Sequence, residues 1–422
     1  MALKTKKNNK PGKSHSPSKS DDSRIWIRMY RVGFGDCFLV GFPVPGGRKY
    51  VLVDCGVHAR GDIHTLQQVV VDIGKVTGGK LAILVATHAH QDHISGYASM
   101  EGHFRGYTIG EVWLPWTENP KDEEAINLQN KRMSLVASLQ AHFAAVGPNS
   151  PAAEAVANIA AKQRALDALH SGFGVGAKVR YLEAGQDDLE APGDIRGLTV
   201  KILGPPRSPE FLAKMNPPVG QHYFCLDKEG RIVSANALQP FPDKWRVEEG
   251  GNGAPIAEDK KGLDERAYTP LDSLAFALDQ AVNNTSVVAL FQHGGKNLLF
   301  AGDAQFGNWK AWLEQKDSGE ILQQIDFYKV AHHGSVNATP KGALEKMGDG
   351  RLAAMVSTQS VPWPSIPEKK LMGALDRRTR HAVVRSDSLA ISAAPKAPKG
   401  PRLAKLPGGF SSGPLFYEYV IP

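Results

Sequence analysis

The residues best suited to chemistry stand in one run, Thr87-His88-Ala89-His90-Gln91-Asp92-His93, directly after the apolar stretch LAILVA. Three imidazoles and a carboxylate within six residues are costly to crowd together unless a cation satisfies them. A divalent metal of borderline softness accepts both donor types. His88 and His90 can point to one side of such a turn while Asp92 and His93 reach a neighbouring position, so one loop can serve two metal ions. A histidine-rich surface loop is the plain alternative, and two later motifs weigh against it. Asp303 in LLFAGDAQ ends an apolar run after a glycine that permits close backbone approach, and a carboxylate there can bridge two metals. His332 and His333 in YKVAHHGS again stand just past an apolar run, where an imidazole could complete a second metal's shell. Taken singly, Gly302-Asp303 reads as a turn and the paired histidines as a loop cap. Together with the first run they read as one site.

Regular elements must deliver these residues to one place. IWIRMYRV, DCFLVGF and KYVLVDCG are short β-like runs punctuated by Gly and Pro. DIHTLQQVVVDIGKVTG then sets apolar residues at helical spacing and closes on Gly, ahead of the buried strand LAILVAT and the histidine loop. Strand, helix, strand, loop is an α/β order with chemistry at the carboxyl end of a strand. Residues 119–171 carry two helix-forming stretches broken by Gly147-Pro148 and Pro151, and read as a helical insertion folded as a hairpin. KVRYLEA and LTVKILGPP return to strand. Residues 205–270 are rich in Gly, Pro and charge without a period, and read as an irregular insertion near the sheet edge or the site. TSVVALFQH, KNLLFAGDA, NWKAWLEQ, IDFYKVAHHGS, AAMVSTQ, PEKKLMGALDRR and HAVVRSD then mix strands and helices. PLFYEYVI reads as a closing strand after an Ala/Pro/Lys-rich loop at 394–406. No short internal repeat is present.

A chain of 422 residues, 42% hydrophobic and 22% charged, fits a globular protein with a large core. Its formal charge of +7 is mostly local: the first 22 residues hold six lysines against Asp21 and Asp22. The folded remainder is only mildly basic, so the net charge does not identify a partner. Residues 1–23 lack apolar periodicity and are expected to be a disordered basic tail. Cys37, Cys55 and Cys225 lack C-x-x-C spacing, which argues against a disulfide framework and against a thiolate zinc site. No apolar stretch approaches the ~18 residues of a membrane span, and the N-terminus lacks an apolar signal region. No membrane association and a cytoplasmic location are the expectation.

The run T-H-A-H-Q-D-H resembles the H-x-H-x-D-H signature of the metallo-β-lactamase superfamily. Val53-Asp54-Cys55-Gly56 is similar to the strand preceding it, whose aspartate supports the metal ligands. A wider set resembles the branch typified by the hydrolase domain of the competence protein ComEC: VGFGD at 32–36, NNTSVVAL at 283–290, LLFAGDA at 298–304, KVAHHGS at 329–335 and VVRSD at 383–387. The resemblance runs from about residue 25 to the C-terminus, interrupted by the two insertions. It implies an α/β fold, an αββα metallo-β-lactamase sandwich over residues 24–422 with a helical insertion. It also implies that His88 and His90 bind one metal, Asp92 and His93 the other, that Asp303 bridges and that His332 closes the second shell. Asp54 would support these ligands from behind. One or two zinc ions per chain, or manganese in their place, are the implied cofactor. Many members carry a further histidine at the first metal; the corresponding place here reads ILGPP (202–206), and His222 is the alternative. Pro364-Ser365-Ile366-Pro367 likewise carries a serine where the branch places a histidine.

The implied chemistry is hydrolysis by a metal-bound hydroxide, because a metal lowers the pKa of bound water from about 15.7 toward ~7. Asp92 or Asp303 would orient the nucleophile and His333 would donate to the leaving group. Asn284, His333 and Ser335 are candidate substrate contacts, each with an equally plain reading as a loop-fixing hydrogen-bonder. The branch resemblance favours a phosphodiester, which makes the partner an anionic substrate such as a nucleic acid or nucleotide. Arg377, Arg378, Arg380 and Arg385, and further on Lys396, Lys399, Arg402 and Lys405, suit phosphate binding or a solvated basic face. Hydrolysis of a small ester, lactone or thioester stays open, as does a metal-poor, non-catalytic binding module. The insertion at 119–171 reads as shaping access to the site or as a dimer interface. Trp113, Trp116, Trp309, Trp312 and Trp363 read as core or pocket wall.

Overall fold

The computed structural model describes residues 23–58, 63–146, 153, 156–157, 162–218, 225–226, 232–233, 278, 281–348, 350–359, 364–388 and 406–422. The tail before residue 23, His222, Trp363, most of the 205–270 insertion, and Lys396, Lys399, Arg402 and Lys405 lie outside these.

The first half of the chain supplies β1 (Trp26–Tyr30), β2 (Cys37–Val44), β3 (Gly47–Cys55), β4 (Lys80–Val85), β5 (Thr108–Pro115), β6 (Lys178–Leu182), β7 (Gln186–Glu190) and β8 (Leu198–Gly204). A two-strand ribbon of β9 (Cys225–Leu226) and β10 (Ile232–Val233) follows. Then come β11 (Val288–His293), β12 (Lys296–Phe300), β13 (Phe327–Lys329), β14 (Ala353–Val356), β15 (Val383–Arg385), β16 (Phe410–Ser412) and β17 (Phe416–Val420). The helices of eight residues or more are α1 (Leu66–Thr77), α2 (Gln91–Ser99), α3 (Glu123–Val146), α4 (Gln163–His170), α5 (Phe306–Leu313) and α6 (Lys369–Arg378).

The strands form two sheets, ordered β16-β17-β1-β2-β3-β4-β5-β6 and β15-β14-β13-β12-β11-β8-β7. The last strand, PLFYEYVI in the sequence, returns to pair antiparallel with the first, Trp26 opposite Val420. Alternation along each strand divides its side chains between two layers. Phe38, Val40, Val53 and Ile83 of the first sheet meet Val200, Phe291, Phe300 and Met355 of the second in a shared central core. On the outer face of the first sheet, Leu39, Leu52 and Leu84 pack under Val69 and Ile73 of α1, Ile94 and Tyr97 of α2 and Leu166 of α4. On the far side, Leu290, Leu299 and Tyr328 pack under Trp309 and Trp312 of α5 and Leu371 of α6. Helices thus flank two stacked sheets in the expected αββα arrangement. The described tryptophans are core residues.

Local chemistry fixes the helix ends. Thr65 and Gln68 form a reciprocal cap at the start of α1, and Gly78 ends the helix in the left-handed conformation at φ +62°. Residues 119–171 carry α3 and α4, and an apolar cluster of Val136, Leu139, Phe143 and Val156. β7, a polar run at a sheet edge, was not foreseen from the sequence, whose QDDLE shows no apolar alternation. No helix among the described residues is long and apolar enough to cross a membrane.

Both sheets follow one plan: antiparallel hairpins at one side, then parallel strands. β3, β4, β5 and β6 run parallel, as do β12, β13, β14 and β15. Parallel strands put their carboxyl ends on one edge, where loops can converge. Two glycines let those loops touch. A Cβ on Gly56 would lie 2.5 Å from the backbone of Asp92 and His93, and one on Gly302, at φ +51°, would lie 2.9 Å from Thr87 Cβ.

Candidate metal centre

Asp54 ends β3 with a left-handed backbone, φ 56°, which is unusual for a residue bearing a Cβ and typical of places where function fixes the conformation. Its carboxylate accepts from the Thr87 N–H at 2.7 Å and from the Thr87 hydroxyl at 2.8 Å. It also takes the His93 Nδ1 proton at 2.8 Å. An imidazole that donates through Nδ1 presents Nε2 as a lone pair, so Asp54 fixes both the tautomer and the aim of His93. The same device recurs in the turn after β13. His333 donates Nδ1–H to the Ser357 carbonyl at 2.8 Å, and the Phe34 ring lies against it with centroids 4.2 Å apart.

Both Nε2 atoms then face carboxylates. His93 Nε2 stands 3.0 Å from Asp303 Oδ2, and His333 Nε2 stands 3.0 Å from Asp92 Oδ2 and 3.2 Å from Asp303 Oδ2. One donor atom from each of Asp92, His93, Asp303 and His333 falls within a 4.8 Å span. Two lone pairs and two carboxylates aimed at one dry point repel each other unless a positive species stands between them. The shifts record that demand. Burial pushes the His333 imidazole down, yet Asp303 and Asp92 lift it to about 10. Burial likewise opposes His93, and Asp303, Asp92 and Asp54 outweigh it to raise the ring well above its ordinary value. Burial pushes Asp303 up, but His93, His333 and Lys329 hold it well below the usual carboxylate range. Two oxygens and two imidazole nitrogens are a donor set that suits zinc or manganese, so these residues fit a divalent cation.

A second grouping, Asp36, Asp54 and His93, is closed by its own contacts. Asp54 is occupied as described, and Asp36 is ion-paired to the buried ammonium of Lys329. Lys329 also donates to the Gly302 carbonyl at 2.8 Å and lies 3.4 Å from Asp303 Oδ1. Burial would lower its pKa, but Asp36 and Asp303 hold it above its ordinary value, so it is a fixed positive charge behind the Asp303 carboxylate. Lys329 and Asp36 were missed as functional residues. The signal was available: a lysine inside the apolar run FYKVA and an aspartate closing the glycine-rich VGFGD are both out of place in a core.

The other expected site residues are placed differently. His88 Nε2 pairs with His90 Nδ1 at 2.9 Å, and both rings lie beside the group of four rather than in it. His332 and His333 exchange their expected positions. Consecutive left-handed residues, φ 44° and 54°, turn His333 inward and leave His332 bonded to Ser335 Oγ through Nδ1 at 2.8 Å. Its Nε2 lies 3.5 Å from the Asn283 amide, and burial takes its pKa down to about 4, so this ring is neutral at pH 7. Asn284 is a brace: its amide donates to the Leu212 and Lys214 carbonyls, and its oxygen accepts from Gln305 N–H. Ser335 is spent on His332 and Asn337. Arg385 is paired with Asp387 and is not a free phosphate contact.

Residues 30–151 match the model of the metallo-beta-lactamase superfamily. That span holds Asp36, Asp54, His88, His90, Asp92 and His93, while Asp303, Lys329 and His333 lie beyond it. No curated protein matches the chain. Among solved structures, the chain is similar to the metallo-beta-lactamase fold protein YhfI from Bacillus subtilis, at 9% identity over 86% of this chain and 96% of that one, with a TM-score of 0.37. It is also similar to Zn²⁺-bound PqqB from Methylobacterium extorquens, at 9% identity over 85% and 97% of the two chains, with a TM-score of 0.34.

Proposed function

We propose that the protein is a metal-dependent hydrolase of phosphodiesters, acting in the cytoplasm as a nuclease or nucleotide phosphodiesterase of the competence-protein branch. The observation that carries the metal is the convergence of His93 Nε2, His333 Nε2 and the carboxylates of Asp92 and Asp303. The phosphodiester rests on the motif set VGFGD, LLFAGDA, KVAHHGS and VVRSD.

Asp92, His93, Asp303 and His333 would hold the cation, whose contribution when bound is to polarise the scissile group and acidify a water. Asp54 and the Ser357 carbonyl keep the two imidazoles in the ligating tautomer. Lys329 keeps Asp303 ionised and in place. His332, neutral and anchored by Ser335, offers Nε2 at the rim as a proton acceptor. His333 moves from the leaving-group role expected of it into the ligand set.

The test is metal content by mass spectrometry of the wild type and of Asp92→Ala, with hydrolysis of bis-p-nitrophenyl phosphate across added Zn²⁺ and Mn²⁺. One or two metals per chain, lost in the variant together with hydrolysis, supports the reading. Metal without phosphodiester hydrolysis moves the substrate to an ester, lactone or thioester. No metal in the wild type leaves a non-catalytic binding module.

A further inference from the structure

Several cations of the fold are already occupied. Arg385 holds Asp387, Arg207 holds Asp122 and Glu183, Arg351 holds Asp326, and the buried Arg132 and Lys162 share the Glu118 carboxylate. One face of α6 differs. Lys370, Gly373 and Arg377 recur at three- and four-residue spacing and so line one side of the helix, while Leu371, Ala374 and Leu375 are buried on the other. Lys369, Lys370 and Arg377 are exposed, and none of them forms an ion pair with a described residue. The acid nearest in sequence, Asp376, lies 2.9 Å from His381 Nδ1, and Glu368 accepts the Leu371 N–H at the helix cap.

Two further features separate this face from a merely solvated one. Glycine weakens a helix interior relative to alanine, and nothing around Gly373 requires it. A Cβ there would meet only Arg377 Nη1, at 3.6 Å, an ordinary contact. The helix is therefore bare between its two cations. The second feature is position. The Glu368 N–H donates to the Gly334 carbonyl at 2.8 Å, and Gly334 directly follows His333, so α6 starts on the loop that carries a metal ligand and its basic face leads away from the site. A rise of about 1.5 Å per residue puts Lys370 and Arg377 about 10 Å apart along the axis. A duplex strand carries a phosphate roughly every 3.4 Å of axis, so that span covers two to three links.

We propose that this face of α6 is the docking surface for a nucleic-acid strand, with phosphates held by Lys370 and Arg377 and the strand passing over Gly373 toward the metal centre. The inference rests on the phosphodiester reading and narrows it: the substrate is a polymer that extends beyond the scissile link.

The test is fluorescence anisotropy of a labelled oligothymidylate with phosphorothioate links, which resist hydrolysis, on the metal-loaded full chain across a salt series. Lys370→Gln/Arg377→Gln is expected to bind at least tenfold more weakly than wild type. Its slope of log K against log salt should flatten by about 1.4, two contacts at about 0.7 each. Lys75→Gln/Lys80→Gln removes the same charge from exposed positions at the end of β4 away from the metal loop, and is expected to stay within twofold of wild type. Gly373→Glu, which fits the open space, is expected to bind at least tenfold more weakly, and Gly373→Lys at least as tightly as wild type. The lysine-rich first 22 residues are common to all these proteins and cancel in the comparison. No binding by the wild type, or an α6 double variant indistinguishable from the control pair, overturns the surface. Hydrolysis of bis-p-nitrophenyl phosphate is scored separately: binding that depends on α6 without any hydrolysis removes the phosphodiester reading and leaves the docking surface standing.

Discussion

Lys162→Met should stabilise the protein, against the usual direction for a buried substitution. The lysine's pKa falls from an ordinary 10.5 to about 8 on folding. That difference of roughly 2.5 units corresponds to about 3 kcal/mol of penalty for carrying the charge in the folded state. The attraction of Glu118 is already contained in it, and Glu118 keeps Arg132 when the lysine is removed. Methionine fills the same stem volume without the ammonium. Because the folded pKa is depressed, the penalty is full below about pH 8. The unfolded chain holds the proton more tightly between about 8 and 10.5, so wild-type stability rises with pH across that window. For a chain of this length 3 kcal/mol corresponds to roughly 3 °C in Tm. Thermal melts of metal-loaded wild type and variant from pH 7 to pH 10 measure it. The variant should lead by about that margin at pH 7, and the lead should shrink toward pH 10. A variant less stable at pH 7, or a pH-independent gap, refutes the argument that the ammonium is uncompensated.

Four substitutions probe the metal centre. Asp54→Asn replaces an acceptor of three donors by an amide that must turn a donor toward one of them, so His93 loses its anchor. Metal affinity should drop about 10- to 100-fold in a chelator competition. His333→Ala should lower the metal content by mass spectrometry while His332→Ala leaves it intact; the reverse pattern would restore the assignment read from the sequence. Lys329→Met leaves Asp36 and Asp303 facing each other without their shared cation and should cost about 3–5 kcal/mol in urea denaturation of the metal-free protein. A wild-type midpoint would show that the ion pair is not needed.

The sheets were legible because each strand is a local pattern: LAILVA and KYVLVDC need no partner to be recognised as apolar strand. Their order was not, since pairing β17 with β1 joins residues nearly four hundred apart and leaves no trace in either run. The same boundary divides the site. The histidine loop and Asp303 declared themselves by type and spacing, and the structure brings Asp92 and His93 to Asp303. Which of two adjacent histidines faces inward depends on two positive φ angles at non-glycine residues, and a sequence of HHG does not report φ. Lys162 was invisible for another reason: a lysine in a helix-forming stretch reads as solvated, and only the fold buries it beside Glu118 and Arg132.

The charge balance at the centre leads to a stoichiometry. Asp92 and Asp303 bring two negative charges, and with no metal bound they draw the two imidazoles toward the cationic form, raising both and taking His333 to about 10. One divalent cation between neutral imidazoles gives the same local sum. Metal binding is therefore an exchange of one M²⁺ for two protons, one from each Nε2, and affinity should rise with pH until His333 deprotonates unaided. Titrating Zn²⁺ into metal-free protein in weak buffer at pH 7 should release about two protons for the first equivalent. His333→Ala should halve that release. Release of none would mean that both rings are neutral before the metal arrives, and that something other than protons holds the four groups together.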